Sequence, residues 1–135
     1  MKNTILFISM LVLLVTGCEK DEAPFDPKNA ILGKWELVQQ GTSLDVLFDV
    51  PSQGYTEYLD DKSYRYYDYE TEEYTYGDYT LNDSLLIYYN YAVENGEIMD
   101  TIPIRYFHTF RDRRILILDI DALAIFDFFI YKKIE

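Results

Sequence analysis

The feature that most constrains this chain is the rhythm of its apolar residues after Gly33. Segments of five to nine residues, rich in Tyr, Ile, Leu and Phe, alternate with short clusters of turn residues. The segments are 34–40, 44–50, 55–59, 64–70, 74–81, 85–93, 102–110, 114–120 and 125–133. They are separated by Gly41, Pro51-Ser52-Gln53-Gly54, Asp60-Asp61-Lys62-Ser63, Asn82-Asp83, Glu94-Asn95-Gly96-Glu97 and Arg111-Asp112-Arg113. Runs of this length, bounded by residues that tolerate turn dihedrals, read as β-strands joined by hairpins. No stretch leaves room for the helical crossovers that parallel strands require. The alternatives are a closed antiparallel barrel or a sandwich. Sequential hairpins favour an up-and-down barrel of about eight strands, because a sandwich generally needs longer Greek-key connections. Closure also removes open edges, which would invite pairing between molecules in so apolar a sheet. Ahead of the strands, Asp26-Pro27-Lys28 has a capping residue followed by proline at the first helical position. One helical turn is expected there.

The N-terminal residues have a different character. Lys2 precedes an apolar run from Ile5 to Val15, too short to span a bilayer but matching the core of a secretory signal. The run ends at Val15-Thr16-Gly17-Cys18. This resembles a bacterial lipobox, which implies a signal peptide over residues 1–17 and cleavage before Cys18. It also implies a diacylglyceryl thioether on Cys18 and a further acyl chain, such as palmitate, on the new amino group. Several chains together anchor stably where one is marginal. The charged run Glu19-Lys20-Asp21-Glu22 and two prolines make residues 18–30 a solvated linker. The same run resembles the Lys-plus-acidic export signals of Bacteroidetes lipoproteins, which implies an outer-membrane, cell-surface location. The barrel domain is expected over residues 31–135.

From Cys18 onward the chain carries 11 basic and 24 acidic residues, a formal net charge of −13. No basic stripe is available to displace counterions from nucleic acid. The net charge also disfavours an anionic membrane as an electrostatic partner. Aromatic residues fill 22 of these 118 positions, enough for a packed core and contrary to a disordered acidic tail. Cys18 is the sole cysteine, so a disulfide framework, a cysteine zinc site and a cysteine nucleophile are all excluded from the domain.

Gly33-Lys34-Trp35 matches the Gly-x-Trp that opens the first strand of lipocalins and related calycins. Ile31-Leu32-Gly33-Lys34-Trp35-Glu36-Leu37-Val38 resembles the start of the lipocalin-like domains common in Bacteroidetes lipoproteins. Tyr64-Arg65-Tyr66-Tyr67, Gly77-Asp78-Tyr79-Thr80-Leu81 and Phe129-Ile130-Tyr131-Lys132-Lys133 follow that family's strand order. The resemblance implies that Trp35 closes one end of the barrel and that a basic residue of the last strand, Lys132 or Lys133, covers it.

The search for reactive groups yields little. His108 is the only histidine, and no acidic residue is placed by sequence to orient it. Glu70, Glu72, Glu73 and Asp78 crowd one region, but proximity at a turn does not make the opposed carboxylate pair of a glycosidase. Asp119-Ile120-Asp121 lacks the rest of an EF-hand loop, and no glycine-rich phosphate loop is present. The expectation is a noncatalytic protein with no metal and no cofactor.

The tyrosines carry the functional expectation. Tyr64, Tyr66, Tyr67, Tyr69, Tyr79, Tyr89 and Tyr91 are the candidate ligand or partner surface. Period-two alternation puts Tyr64 and Tyr66 on one face of their strand and Tyr67 and Tyr69 on the other; Tyr89 and Tyr91 share a face of theirs. Since both faces cannot be the interior, some rings must point outward. Two functions follow. One is a lipid-anchored lipocalin-like protein binding a small hydrophobic or glycan ligand; the other is an accessory lipoprotein that binds an outer-membrane protein through an exposed aromatic face.

Overall fold

The computed structural model describes residues 24–94 and 97–135. The signal segment, Cys18 and the first part of the linker lie outside these residues, as does the Asn95-Gly96 turn.

The chain enters through one helical turn, α1 (Pro27–Ala30). The Asp26 carboxylate accepts hydrogen bonds from the Lys28 backbone N–H at 3.0 Å and from the Asn29 amide at 2.7 Å, and Pro27 supplies the preset first helical dihedral. Nine antiparallel strands follow among the described residues. They are β1 (Gly33–Ser43), β2 (Val46–Asp49), β3 (Gly54–Tyr58), β4 (Ser63–Asp68), β5 (Tyr74–Leu81), β6 (Leu85–Glu94), β7 (Glu97–Asp112), β8 (Ile115–Ile120) and β9 (Phe128–Lys133). From β3 to β9 every strand pairs with its successor, and β9 returns to β1, whose first residues pair with β3. Eight strands therefore close an up-and-down barrel, as the hairpin spacing predicts. β2 lies outside the closed set. It pairs with the far half of β1, Gln39 to Ser43, on the edge that β3 occupies at Gly33 to Trp35.

An eight-stranded barrel is just wide enough for side chains to fill. Here the filling is Trp35, Tyr58, Tyr79, Leu86, Leu116 and Leu118, all buried, with Tyr64, Tyr88, Tyr106 and Tyr131 packed against them. Each fully buried leucine contributes roughly 1.5–3 kcal/mol. The buried tyrosines add edge-to-face contacts, such as Tyr58 on Tyr79 at 5.0 Å and Tyr88 on Tyr106 at 5.6 Å.

The hairpin turns at Leu59–Lys62, Asn82–Ser84 and Arg113–Arg114 gather at the end of the barrel where α1 sits; this is the closed end. Trp35 lies beneath it. Its indole N–H donates to the Ile31 carbonyl at 2.6 Å, and Phe110 packs edge-on at 6.0 Å. Lys133 covers the indole, with its ammonium 5.4 Å from the ring centre and donating to the Ala30 carbonyl at 3.0 Å. Lys132 does not take this place. It is exposed on the outer face, because alternation along β9 sends adjacent residues to opposite sides.

Three boundaries differ from the sequence reading by three residues or more. β1 continues through Gly41 to Ser43, since the absent side chain lets β2 approach; a Cβ at Gly41 would lie 1.9 Å from the Val46 carbonyl oxygen. β9 begins at Phe128 and not at Ile125. The Asp127 N–H donates to the Gly41 carbonyl at 3.0 Å, while Leu123 and Ile125 remain in the exposed loop before it. β7 begins at Glu97, five residues before Ile102. It pairs with β6 from Leu85–Phe107 out to Glu94–Glu97, whereas β5 follows β6 only from Leu86 to Tyr89. The outer part of the β6–β7 hairpin thus extends past the barrel rim as a two-stranded ribbon.

Candidate functional site

The two parities of β4 divide the tyrosines. Tyr64 and Tyr66 point inward, and Tyr67 points outward. Tyr55 on β3 is the register partner of Tyr67, and Tyr67 in turn pairs with Tyr74 on β5. The side chains at these three paired positions fall on the same outer face. The ring centres lie 5.4 Å apart for Tyr55 and Tyr67, and 4.8 Å for Tyr67 and Tyr74. Tyr69 joins from the β4–β5 turn at 5.9 Å from Tyr67, and Tyr76 continues the row 6.2 Å beyond Tyr74. Five rings form a ladder across three strands, and Tyr76, at 69% exposure, is its most open member.

Charged groups border the ladder. Lys34 lies 5.2 Å from the Tyr55 ring centre, and the Arg65 guanidinium 4.9 Å from that of Tyr74. Arg65 is paired to Glu57 at 2.5 Å, and Lys34 to Glu135 at 2.5 Å. The Tyr69 hydroxyl donates to Glu36 at 2.6 Å, which raises the Tyr69 pKa. Tyr55 and Tyr74 share a hydroxyl–hydroxyl bond of 2.9 Å, and this bond, assisted by partial burial, pushes the Tyr55 phenol up to about 12. Phenol bonds hold Tyr55, Tyr69 and Tyr74, cations flank the Tyr55 and Tyr74 rings, and the arrangement can offer ring surface together with carboxylate and guanidinium groups to a ligand.

The inward tyrosines make a second, drier set. The Tyr58 and Tyr88 hydroxyls bond to each other, and burial drives both pKa values well above the ordinary phenol value. The Tyr79 hydroxyl donates to the Leu59 carbonyl at 2.9 Å, and that of Tyr64 to Asn90 at 2.5 Å. A cavity of ≈140 Å³ remains inside the mouth opposite the closed end, between Tyr66, Tyr131, Thr56 and the Val50-Pro51 loop.

The predicted surface is therefore divided. Tyr67 and Tyr69 belong to the outer ladder, while Tyr64, Tyr66 and Tyr79 face the interior. Tyr89 lies outward beside Asp78, in a separate shallow cleft with Asp61 and Thr101. The Tyr91 side chain lies outside the described residues. Sequence reading missed Tyr55, Tyr74 and Tyr76 as members of the site. Folding the β3–β4 and β4–β5 hairpins about their turns aligns Tyr55 and Tyr74 with Tyr67, and that register was the signal available.

His108 lies inside the closed end. Its Nε2 is 2.8 Å from the Asn82 carbonyl, and since a carbonyl only accepts, that nitrogen carries the proton. Nδ1 is buried with no hydrogen-bond partner among the described residues, and Phe110 packs against the ring at 5.8 Å. Among the described residues, no group of three or more His, Cys, Asp or Glu side chains could hold a metal ion.

The fold and these surfaces define a closed, eight-stranded, tyrosine-rich antiparallel barrel. No protein-family model matches the chain, and no curated protein shows significant similarity to it.

Proposed function

We propose that this chain is a noncatalytic, lipid-anchored, lipocalin-like binding protein of the outer-membrane surface that takes a glycan on the outside of its barrel. The observation that carries the reading is the row Tyr55, Tyr67, Tyr74 and Tyr76, with successive ring centres 4.8–6.2 Å apart on the outer face. Sugar rings present C–H faces that pack on aromatic rings and hydroxyls that need polar partners. Glu36, Glu57 and Arg65 supply such partners beside the ladder. The same charges speak against a dry protein interface, whose core is depleted of Lys and Glu. The interior gives less support to a hydrophobic guest: its ≈140 Å³ cavity is small beside the roughly 300–1,000 Å³ of ordinary ligand pockets.

Anchoring through Cys18 rests on the lipobox resemblance, and surface display on the charged run after it. The binding test is a glycan panel probed with the chain from residue 18 onward, followed by calorimetry on any hit. A hit weakened tenfold or more by Tyr67→Ala with Tyr74→Ala, and unaffected by Tyr89→Ala, supports the glycan reading. Glycan affinity insensitive to the ladder overturns it. Saturable binding of an outer-membrane protein that depends on the ladder, with no glycan bound, assigns the face to the accessory-partner function.

A further inference from the structure

Five large apolar side chains stand in solvent together at the mouth. Val46 and Phe48 share one face of β2, Leu44 lies in the hairpin just before it, and all three are about half exposed. Leu123 and Ile125, in the loop between β8 and β9, are more open still; Leu123 is fully exposed and Ile125 is 84% exposed. Two backbone bonds hold this loop beside the β1–β2 hairpin. The Asp127 N–H donates to the Gly41 carbonyl at 3.0 Å, and the Ile120 N–H to the Asp127 carbonyl at 2.9 Å. Single exposed apolar residues are ordinary on a protein surface, but five drawn from two adjoining loops mark a contact surface.

The charge around these residues has one sign. No Lys or Arg occurs from residue 41 to 54 or from 118 to 129, whereas Asp45 and Asp49 border the apolar residues of the hairpin and Asp119, Asp121 and Asp127 those of the loop. Among the described residues, Asp121 alone of these five has an ion-pair partner, Arg105 at 2.8 Å. Asp49 receives the neutral Gln39 amide at 2.9 Å. Burial, and then the charges of Asp127 and Asp121, hold the Asp119 carboxyl above its ordinary value, so these three form one cluster. The β4–β5 turn adjoins the segment after β2 through a bond from the Tyr69 N–H to the Gln53 carbonyl at 2.9 Å; it adds Glu70, Glu72 and Glu73, and again no cation.

β2 also leaves a sheet edge open. It ends the strand order, with β1 on one side and, among the described residues, no strand on the other. Backbone groups on such an edge are a template for an added strand. A bilayer has no backbone to pair with that edge, and the carboxylates repel an anionic one. A second copy of this chain would bring the same aspartates to the same edge, like charge against like. We infer that the β1–β2 hairpin and the loop after β8 form a docking surface for an extended, basic segment of another protein. Its backbone adds to β2, its apolar side chains cover Val46, Phe48, Leu123 and Ile125, and its Lys or Arg side chains meet Asp45, Asp49 and Asp127. The inference is independent of the glycan reading, since none of the ladder tyrosines takes part in it.

The test uses the chain from residue 18 carrying Cys18→Ser, so that no acyl chain takes part. Its affinity is measured by fluorescence anisotropy for three short labelled peptides, an alternating Lys–Val, an alternating Lys–Ser and an alternating Glu–Val sequence, at low and high salt. The Lys–Val peptide is expected to bind about tenfold more tightly than Lys–Ser and to weaken several-fold at high salt, with no binding of Glu–Val. Methylating the backbone nitrogens of the Lys–Val peptide removes its donors to the β2 edge and should weaken it about tenfold. Phe48→Ser with Leu123→Ser should cost about tenfold, and Asp45→Asn with Asp49→Asn about fivefold. Asp60→Asn with Asp83→Asn removes the same charge at the closed end and leaves binding unchanged. Equal affinity for Lys–Val and Lys–Ser, full affinity of the methylated peptide, or indifference to both mouth variants overturns the inference. Flotation on phosphatidylcholine vesicles that is lost in Phe48→Ser with Leu123→Ser, without peptide binding, also overturns it and gives the patch to a bilayer. Dimerisation lost in the same variant, again without peptide binding, overturns it in favour of a second copy of the chain.

Discussion

Tyr64 packs across the face of Gly77, its register partner on the next strand. A Cβ placed on Gly77 would lie 2.7 Å from both Cε1 and the hydroxyl oxygen of Tyr64. The ring cannot move aside cheaply, because Tyr88 packs edge-on against it at 5.0 Å and its hydroxyl is bound to Asn90 at 2.5 Å. Gly77→Ala is therefore expected to destabilise the barrel by about 1–3 kcal/mol, as overpacking does. In a Tyr64→Ala background the same substitution should be neutral or slightly stabilising. Urea midpoints for the four chains of this cycle give the coupling; additive effects would mean that the ring does not block the site.

The inner tyrosines set an alkaline limit. Burial holds the Tyr58, Tyr88 and Tyr131 phenols above their ordinary value near 10. Below about pH 10 the folded and unfolded chains keep the same phenolic protons, so these groups leave stability independent of pH. Above it the unfolded chain releases protons that the barrel retains, and stability falls as pH rises. Melting temperature should be flat through the neutral range from this source and decline beyond about pH 10. Phenolate absorbance from the inner set should appear only with unfolding; full reversible ionisation of every tyrosine in the folded state would contradict this.

Hairpin spacing made the barrel legible because turn residues mark most of the reversals and no segment offers a helical period. The facing of each strand was harder to read. In β4 tyrosine occupies both parities, Tyr64 and Tyr66 inside and Tyr67 outside, so the polar–apolar contrast that normally fixes a face is missing. The choice between Lys132 and Lys133 is likewise one of parity alone. The β1–β9 ladder also contains an extra residue at Val38, which shifts the register in a way that no pattern in the sequence announces. Lipocalin resemblance pointed to Trp35, and the structure places it in the core.

Lys133 and Lys132 provide a matched pair. Lys133 donates to the Ala30 carbonyl and covers Trp35, whereas Lys132 is exposed. Replacing Lys133 with Ala removes a hydrogen bond, a cation–π contact and packing over the indole, with an expected cost of about 1–2 kcal/mol. Lys132→Ala should stay within about 0.5 kcal/mol of the parent. Trp35 is the only tryptophan, so its emission reports the change directly. Lys133→Ala should red-shift it as water reaches the indole, and Lys132→Ala should not.

Two phenol–phenol bonds test the division between the inner and outer rings. Tyr58→Phe leaves the Tyr88 hydroxyl without its partner inside the barrel, a loss of about 1–3 kcal/mol. Tyr74→Phe removes the corresponding bond to Tyr55 on the solvent-facing side, where water replaces it, and should cost no more than about 0.5 kcal/mol. The outer substitution should show itself in titration. Without its bond to Tyr74, the Tyr55 phenol should fall from about 12 toward its ordinary value, and NMR titration of that ring reads the shift. A large stability loss in Tyr74→Phe, or none in Tyr58→Phe, would mean that the ladder supports the fold more than it serves recognition, because a ring free to bind a ligand has to be one that the barrel does not need for its own packing.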